Sequence, residues 1–131
     1  MLLDTSGLLA YHHQDEPKHA EAVALFRGAR QALTHSYILA EFVALAHARR
    51  LPRLSALTFL TALREHRKVE TVWVDETLHL KAEMLLSVRL DKTYSLCDAV
   101  SFVLMRERGI TEALTTDHHF EQEGFQRLLL P

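Results

Sequence analysis

The sequence contains one cysteine, four glycines and three prolines among its 131 residues. A single cysteine excludes an intrachain disulfide and a zinc site built from several thiolates. The scarcity of glycine and proline excludes a long flexible linker or a low-complexity segment. No apolar run approaches the roughly 18 residues that a membrane span requires. A chain of this kind must be held together by an ordinary hydrophobic core.

The chain also lacks an excess of either charge, since 17 acidic residues face 15 basic ones and the isoelectric point is about 6.5. Binding to nucleic acid would therefore need a local basic patch or bound cations. Solvated helix ends are the alternative interpretation of any such patch. Two clusters are candidate RNA contacts flanking an acidic site: Arg49, Arg50 and Arg53, and then Arg64, Arg67 and Lys68.

The size and the first residues of the chain predict its organisation. With 131 residues and 48% hydrophobic content, we expect one domain spanning residues 1–131,. Asp4 stands where a secretory signal peptide would continue its apolar core,. We therefore expect a soluble, cytoplasmic protein with no membrane association.

Hydrophobic periodicity predicts strands that alternate with helices. The predicted strands cover residues 1–3, 32–34, 69–74, 112–115 and 125–130. Helices are predicted from about residue 6, from 17 to 28, from 36 to 51, around 57–63, around 78–86, from 95 to 108 and, as a single turn, over 117–121,. This alternation predicts a mainly parallel sheet with helices on both faces. Ligands of such sheets bind beyond the carboxyl ends of the strands.

Four acids are predicted to lie at that crevice. Asp4 and Asp117 directly follow predicted strands, and Asp98 lies in the first turn of a helix. Glu41 falls on an apolar helical stripe three residues after Ile38, so its carboxylate is expected at or near the core,. Carboxylates held close together repel one another, and a bound cation relieves that repulsion.

Each acid also has a structural explanation. Asp4 suits a turn before a helix, and Asp117 suits a helix N-cap. Asp98 fits a capping box with Ser95, in which the acid bonds back to the capping residue's backbone. Glu41 is the hardest to explain in this way, because an unpaired carboxylate on an apolar helix face costs free energy.

The neighbouring side chains fit a metal site made of oxygen ligands. Such ligands favour Mg²⁺ or Mn²⁺ over Zn²⁺, and these ions promote phosphodiester hydrolysis. Ser6 and Thr116 could hydrogen-bond a carboxylate or a phosphate oxygen, with helix capping as the alternative. Cys97 is predicted to be a small buried residue rather than a nucleophile. The adjacent pairs His12–His13 and His118–His119 do not have the four-residue spacing of a helical zinc site,.

Three segments carry a resemblance to the PIN-domain family, and within it to VapC-type toxins of toxin–antitoxin pairs. They are MLLDTSGLLAYHHQDEPKHAEA, SYILAEFVALAHARR and YSLCDAVSFVLMRERGITEALTTDHHFEQEGF. The last is the most specific, because it combines an acid at a helix start, a glycine before a strand and a Thr-Asp pair. The resemblance implies a three-layer α/β/α fold with a Mg²⁺ or Mn²⁺ site.

Carried onto this sequence, the resemblance assigns the four family acids to Asp4, Glu41, Asp98 and Asp117, with Ser6 and Thr116 at the neighbouring polar positions. It implies endonucleolytic cleavage of transfer or ribosomal RNA that leaves a 5′-phosphate and a 3′-hydroxyl. It also implies a homodimer and inhibition by a cognate antitoxin. Asp91 is a further acid that is predicted to lie in a loop and could join the rim of the site.

Other interpretations remain open. A haloacid-dehalogenase-type phosphatase would need a second aspartate two residues after the first, where this chain has Ser6,. A non-toxin PIN-type RNA-processing nuclease would use the same acids. In a non-catalytic module that binds RNA or protein, the acids would only cap helices. Metal dependence separates catalysis from capping, because a capping carboxylate needs no divalent ion.

Overall fold

The computed structural model describes residues 1–131. The five strands are β1 (Leu2–Leu3), β2 (Ala32–His35), β3 (Val69–Val72), β4 (Glu112–Leu114) and β5 (Gln126–Arg127). The seven helices are α1 (Thr5–His12), α2 (His19–Gly28), α3 (Ser36–Ala48), α4 (Arg53–Glu65), α5 (Glu76–Ser87), α6 (Leu96–Arg108) and α7 (His119–Gln122). None of these helices has both the length and the apolar composition of a membrane span.

All four strand pairings are parallel, and the sheet order is β3-β2-β1-β4-β5. The chain moves outwards from β1 to β3 and then returns across the sheet to β4. Because crossovers between parallel strands are right-handed, this reversal puts α1 to α4 on one face and α5 and α6 on the other. Within the faces, α1 packs against α2 and α3, and α5 packs against α6. The predicted α/β/α architecture is confirmed.

The central strands are buried along almost their whole length, as expected of a parallel sheet covered on both faces,. Leu2 and Leu3 of β1 and Ala113 and Leu114 of β4 are almost fully buried. The largest buried aromatic side chains, which fill the space between sheet and helices, are Phe42, Phe102 and Phe120. This packing makes the sheet a rigid support for the residues that follow its strands.

Gly7 allows α1 to lie directly against the end of β4. A Cβ atom at this position would stand 1.9 Å from the carbonyl oxygen of Leu114. The Asp4 amide also donates a hydrogen bond to that oxygen, at 3.2 Å. Only a residue without a side chain permits this approach, which brings the segment after β1 beside the segment after β4.

Several predicted boundaries differ from the structure by one to a few residues, and three of the differences concern the strands and turn near the site. The third strand ends at Val72 rather than 74, because the chain leaves the sheet to reach Asp75, whose Oδ1 accepts a bond from the Leu78 amide at 2.8 Å and caps α5. The last strand is shorter than predicted, although the amides of Leu128 and Leu129 still donate to β4 and the residue after it. The helical turn predicted over 117–121 lies at His119–Gln122.

Candidate active site

Asp4 lies at the carboxyl end of β1, where the strand order reverses between β1 and β4. Its side chain is buried, with 5% of the residue exposed. Burial raises the pKa of Asp4 to about 7, the Thr115 hydroxyl opposes this shift, and the charges of Asp98 and Glu41 add to it,. No lysine or arginine forms an ion pair with Asp4. Asp4 is therefore a buried carboxylate in an acidic neighbourhood.

A chain of hydroxyl groups holds Asp4 in place. The Thr115 hydroxyl donates to Asp4 Oδ2 at 2.7 Å and lies 3.1 Å from Ser6 Oγ. The Thr115 oxygen also accepts from the Asp117 amide at 3.0 Å, while Ser6 Oγ accepts from the Thr116 amide at 3.0 Å. Because the Thr115 hydroxyl already donates its hydrogen bond to Asp4, the hydroxyl of Ser6 must be the donor in the hydrogen bond between Ser6 and Thr115. The chain joins the residues after β4 to the carboxylate after β1.

Asp98 forms the predicted capping box at the start of α6. Its amide donates to Ser95 Oγ at 3.0 Å, and its Oδ2 accepts from the Ser95 amide at 3.0 Å. The residue is 8% exposed. Burial raises the pKa of Asp98, the hydrogen bond from the Ser95 backbone lowers it, and the charge of Asp117 raises it further. Capping fixes this carboxylate without neutralising it, so a metal-binding role remains compatible with it.

Glu41 is exposed, so the expectation that its side chain lies at or near the core is wrong. The buried face of α3 contains Ile38, Phe42 and Ala46, and Glu41 lies beside that face. Even so, its charge contributes to the raised pKa of Asp4. Burial first, and then the charge of Glu41, also raise the pKa of Cys97. Glu41 thus lies at the rim of the crevice, with its carboxylate close to the buried acids.

Asp117 lies in the loop between β4 and α7 and is partly buried. Its Oδ1 accepts a hydrogen bond from the His119 amide at 2.9 Å, which is a local turn contact of the predicted capping kind. The same oxygen lies 3.2 Å from His119 Nδ1. His119 Nδ1 is also 3.2 Å from Asp98 Oδ2, so one imidazole lies beside two of the four carboxylates.

The structure therefore brings the four sequence-predicted acids to one crevice. The side chain of Cys97 is buried among them and remains a thiol, because burial and the charges of Glu41, Asp4 and Asp98 raise its pKa. Asp91 lies in an exposed turn, 3.6 Å from the Lys92 ammonium, as the loop prediction requires. The donor set of oxygen atoms and the lack of a compensating lysine or arginine fit a divalent cation.

The basic clusters do not flank the acids as expected. Lys68 precedes β3 and therefore lies at the amino edge of the parallel sheet, opposite the crevice. Its ammonium bonds the carbonyl of Phe26 and that of Ala29, the latter at 3.2 Å, so it satisfies the C-terminus of α2,. The neighbouring Arg67 is exposed at this edge.

The first basic cluster lies at the far end of α3. Arg49 is eight residues beyond Glu41, about 12 Å along the helix, and it pairs with Glu16 at 2.8 Å. Arg53 Nη2 lies 3.2 Å from His47 Nδ1. RNA contact by either cluster stays a prediction, but the second cluster is on the wrong side of the sheet to steer RNA into the crevice directly.

Sequence reasoning missed two side chains of the crevice. Thr115, not Thr116, contacts Asp4: the Thr116 side chain is exposed and makes no hydrogen bond. The available signal was that Thr115 is the first polar residue after the buried end of β4. His119 was considered only as half of a histidine pair, although its spacing from Asp117 is the informative feature.

Comparisons with known proteins agree with this geometry. A family model described as the PIN domain matches residues 1–125. The chain belongs to the PIN-domain family. The crystal structure of VapC20 from Mycobacterium tuberculosis, a toxin that cleaves the sarcin–ricin loop, is 27% identical to this PIN-domain chain and superposes with a TM-score of 0.86. That match covers 99% of this chain and 98% of VapC20. No curated protein matches the chain significantly.

Proposed function

We propose that this PIN-domain protein is a VapC-like toxin, a metal-dependent endoribonuclease that a cognate antitoxin holds inactive. The observation that carries the proposal is the buried carboxylate of Asp4, whose pKa is raised by the charges of Asp98 and Glu41 and which has no lysine or arginine as an ion-pair partner. The similarity to VapC20 over nearly the whole of both chains also supports the proposal that the protein is a VapC-like endoribonuclease. In this proposal, residues 1–131 form one catalytic domain.

The proposed metal ligands are the carboxylates of Asp4, Glu41, Asp98 and Asp117. Hard oxygen donors of this kind favour Mg²⁺ or Mn²⁺. Bound there, such a cation would polarise the scissile phosphate and lower the pKa of the attacking water. The number of ions is open, because the four carboxylates offer enough oxygen atoms for one or for two.

The chain's own groups orient these carboxylates before any substrate arrives. Thr115 holds one oxygen of Asp4 through a hydrogen bond, and the Ser95 amide holds Oδ2 of Asp98. Ser6 in turn fixes Thr115, so two residues from two strand ends hold Asp4. Preorganised ligands of this kind spare the site a rearrangement during the reaction. The expected products carry a 5′-phosphate and a 3′-hydroxyl.

The proposed substrate is a structured RNA of the translation apparatus, either ribosomal or transfer RNA. Support comes from VapC20, whose target is the sarcin–ricin loop. For this chain we further propose a homodimer and a separate antitoxin that covers the crevice. A housekeeping PIN-type nuclease would have the same crevice but no inhibitory partner.

A binding module without catalysis is the second candidate. The specific observations in its favour are the complete capping box at Asp98 and the local turn contact of Asp117. In that account the acids serve only to end and begin helices. A capping aspartate changed to asparagine keeps much of its function, since both residues are good caps.

The test is cleavage of total cellular RNA by purified protein, with Mg²⁺, Mn²⁺ or a chelator. Wild type is compared with Asp4→Asn and Asp98→Asn, and with Asp91→Asn as a matched exposed control. We expect discrete, metal-dependent fragments from wild type and from Asp91→Asn, and a loss of about 100-fold or more in the other two variants. Equal cleavage by wild type and by the folded Asp4→Asn and Asp98→Asn variants would indicate a contaminating nuclease and would contradict the proposal.

A further inference from the structure

His119 lies in the crevice beside two of the four carboxylates, and one of its ring nitrogens has no hydrogen-bond partner. Its side chain is 16% exposed, and its ring packs edge-on against Tyr94 with centroids 5.4 Å apart. The Nδ1 atom is shielded from solvent and has no hydrogen-bond partner. A buried polar atom without a partner is costly, so its position calls for a reason.

The distance from Nδ1 to each of two carboxylate oxygens matches the distance between two adjacent ligands of a metal ion. Asp117 and His119 belong, with His118, to a group of side chains whose ligand atoms all lie within 4.8 Å of one another, and Asp98 lies outside that group. Asp98 Oδ2 and Asp117 Oδ1 each lie 3.2 Å from His119 Nδ1. In an octahedral complex with bonds of about 2.1 Å, adjacent donor atoms lie about 3.0 Å apart. Neither oxygen meets the angular requirement of a hydrogen bond from Nδ1. Adjacent metal ligands have this same relation, because the nitrogen points at the metal and not at the neighbouring oxygen.

The other ring nitrogen is held as in metal-bound histidines. His119 Nε2 lies 3.0 Å from the Thr93 hydroxyl, whose oxygen can accept a hydrogen bond from the Nε2–H group. A ligating histidine usually donates its second N–H to such a partner, and this donation fixes the tautomer and the ring orientation. With the proton on Nε2, the lone pair of Nδ1 is directed towards the two carboxylates. A positive charge at Nδ1, from a proton or from a metal ion, makes that arrangement favourable, and Nδ1 donates no hydrogen bond to either carboxylate.

We propose that His119 is a metal ligand, so that the crevice holds a divalent transition metal such as Mn²⁺ through mixed nitrogen and oxygen donors. This inference rests on the proposed metal site at Asp98 and Asp117 and assigns it a fifth residue. An imidazole donor raises affinity for transition metals relative to Mg²⁺, which prefers oxygen. The site therefore selects Mn²⁺ over Mg²⁺.

The experiment uses Mn²⁺ alone as the probe and needs no RNA. Pulsed electron paramagnetic resonance detects a ¹⁴N nucleus bound directly to Mn²⁺, and calorimetry gives the affinities for Mn²⁺ and Mg²⁺. The variant is His119→Gln, which keeps the size and can offer an oxygen ligand. The matched control is His118→Gln, because the adjacent His118 is 62% exposed and its Nδ1 is 3.8 Å from Asp117. Unfolding midpoints verify that all variants fold.

We expect a ¹⁴N signal in wild type and in His118→Gln that is absent in His119→Gln. His119→Gln should lose about 10-fold or more in Mn²⁺ affinity, with Mg²⁺ affinity little changed. Mn²⁺ binding without a ¹⁴N signal, or a signal that survives in His119→Gln, overturns the assignment of His119 alone. Failure of wild type to bind either ion overturns the proposed metal site itself.

Discussion

Asp4 and Glu123 are both buried carboxylates, but their surroundings shift their pKa values in opposite directions. Glu123 bonds Arg89 Nε at 2.9 Å through Oε1, and its Oε2 lies 2.6 Å from Arg106 Nη2. Burial raises the pKa of Glu123, but the hydrogen bonds from the two arginines outweigh burial and lower the pKa overall. At Asp4 the Thr115 hydroxyl and the Thr5 backbone oppose burial, but burial outweighs them and the pKa rises to about 7.

The difference shows that this fold can neutralise a buried acid with its own side chains where no ligand is needed. At the crevice it does not do so, and instead places Asp4 where the charges of Asp98 and Glu41 also act on it. The repulsion between these carboxylates lowers the stability of the metal-free protein, and a cation bound from solution would relieve that repulsion. The contrast between the two carboxylates is thus the physical basis for the metal-dependent account.

Removing the charge of Glu123 should have the largest effect on stability. We expect Glu123→Gln to lower the free energy of unfolding by about 2 kcal/mol, less than for a fully buried pair because both arginines are partly exposed,. Because the folded pKa of Glu123 is depressed below 4.5, its stabilisation is present above that pH and is lost as pH falls,. Urea unfolding at pH 7 and pH 4 measures both effects. An equal loss at the two pH values would contradict the assignment to this ion pair.

The same change at Asp4 should act in the opposite direction. In chelating buffer we expect Asp4→Asn to raise the free energy of unfolding by about 1–2 kcal/mol at pH 8, because it removes a buried, repelled charge. The folded pKa of about 7 lies above the unfolded value of 3.8, so wild type loses stability as pH rises between them,. The gain of the variant should therefore grow with pH. If the variant were less stable than wild type at pH 8, the Asp4 carboxylate would not be destabilised by burial and charge repulsion, and this account would be wrong.

The hydroxyl that holds Asp4 should have a smaller effect, expressed in activity. Thr115→Val removes the bond to Asp4 Oδ2 and should slow RNA cleavage by about 10-fold, which corresponds to roughly 1.4 kcal/mol,. Thr115→Ser keeps the hydroxyl and should restore most of the rate. Thr116→Val is the matched control, because its side chain makes no hydrogen bond. Similar losses in Thr115→Val and Thr116→Val would refute the role of the hydroxyl chain.

The smallest effects are expected at the amino edge of the sheet. Arg67→Ala should leave single-turnover cleavage within about twofold of wild type, because Arg67 is exposed on the side opposite the acids,. Lys68→Met should lower stability by about 1 kcal/mol through the lost bonds to the end of α2, again without an effect on cleavage,. A cleavage defect in Arg67→Ala as large as in Asp98→Asn would indicate that the cluster of Arg64, Arg67 and Lys68 contacts RNA after all.

The fold was predictable because its signals are local. Apolar strands, the capping pair Ser95–Asp98 and the stop at Gly109 each act over a few residues, and parallel pairing follows from their alternation with helices,. The convergence of Asp4 and Asp117 was predictable for the same reason, since both follow strands. The resemblance to the PIN-domain family added the correspondence of all four acids, and the family itself is confirmed.

The remaining details depend on packing between distant segments. Thr115 contacts Asp4 only because Gly7 lets α1 lie against the end of β4, and no local pattern shows this approach. Glu41 lies one position from the buried face of α3, a difference that helical periodicity alone does not resolve. Lys68 was grouped with Arg67 by sequence, whereas the structure uses it to satisfy the end of a different helix.

The most direct test of the account is thermal unfolding of wild type, Asp98→Asn and Glu123→Gln in chelator and in Mg²⁺ or Mn²⁺. A cation that binds only the folded crevice should stabilise wild type and Glu123→Gln equally, by about 2.7 kcal/mol at 100 times its dissociation constant, and should leave Asp98→Asn unchanged. An equal rise in Asp98→Asn, or no rise in wild type, would contradict the claim that these carboxylates form a divalent-cation site.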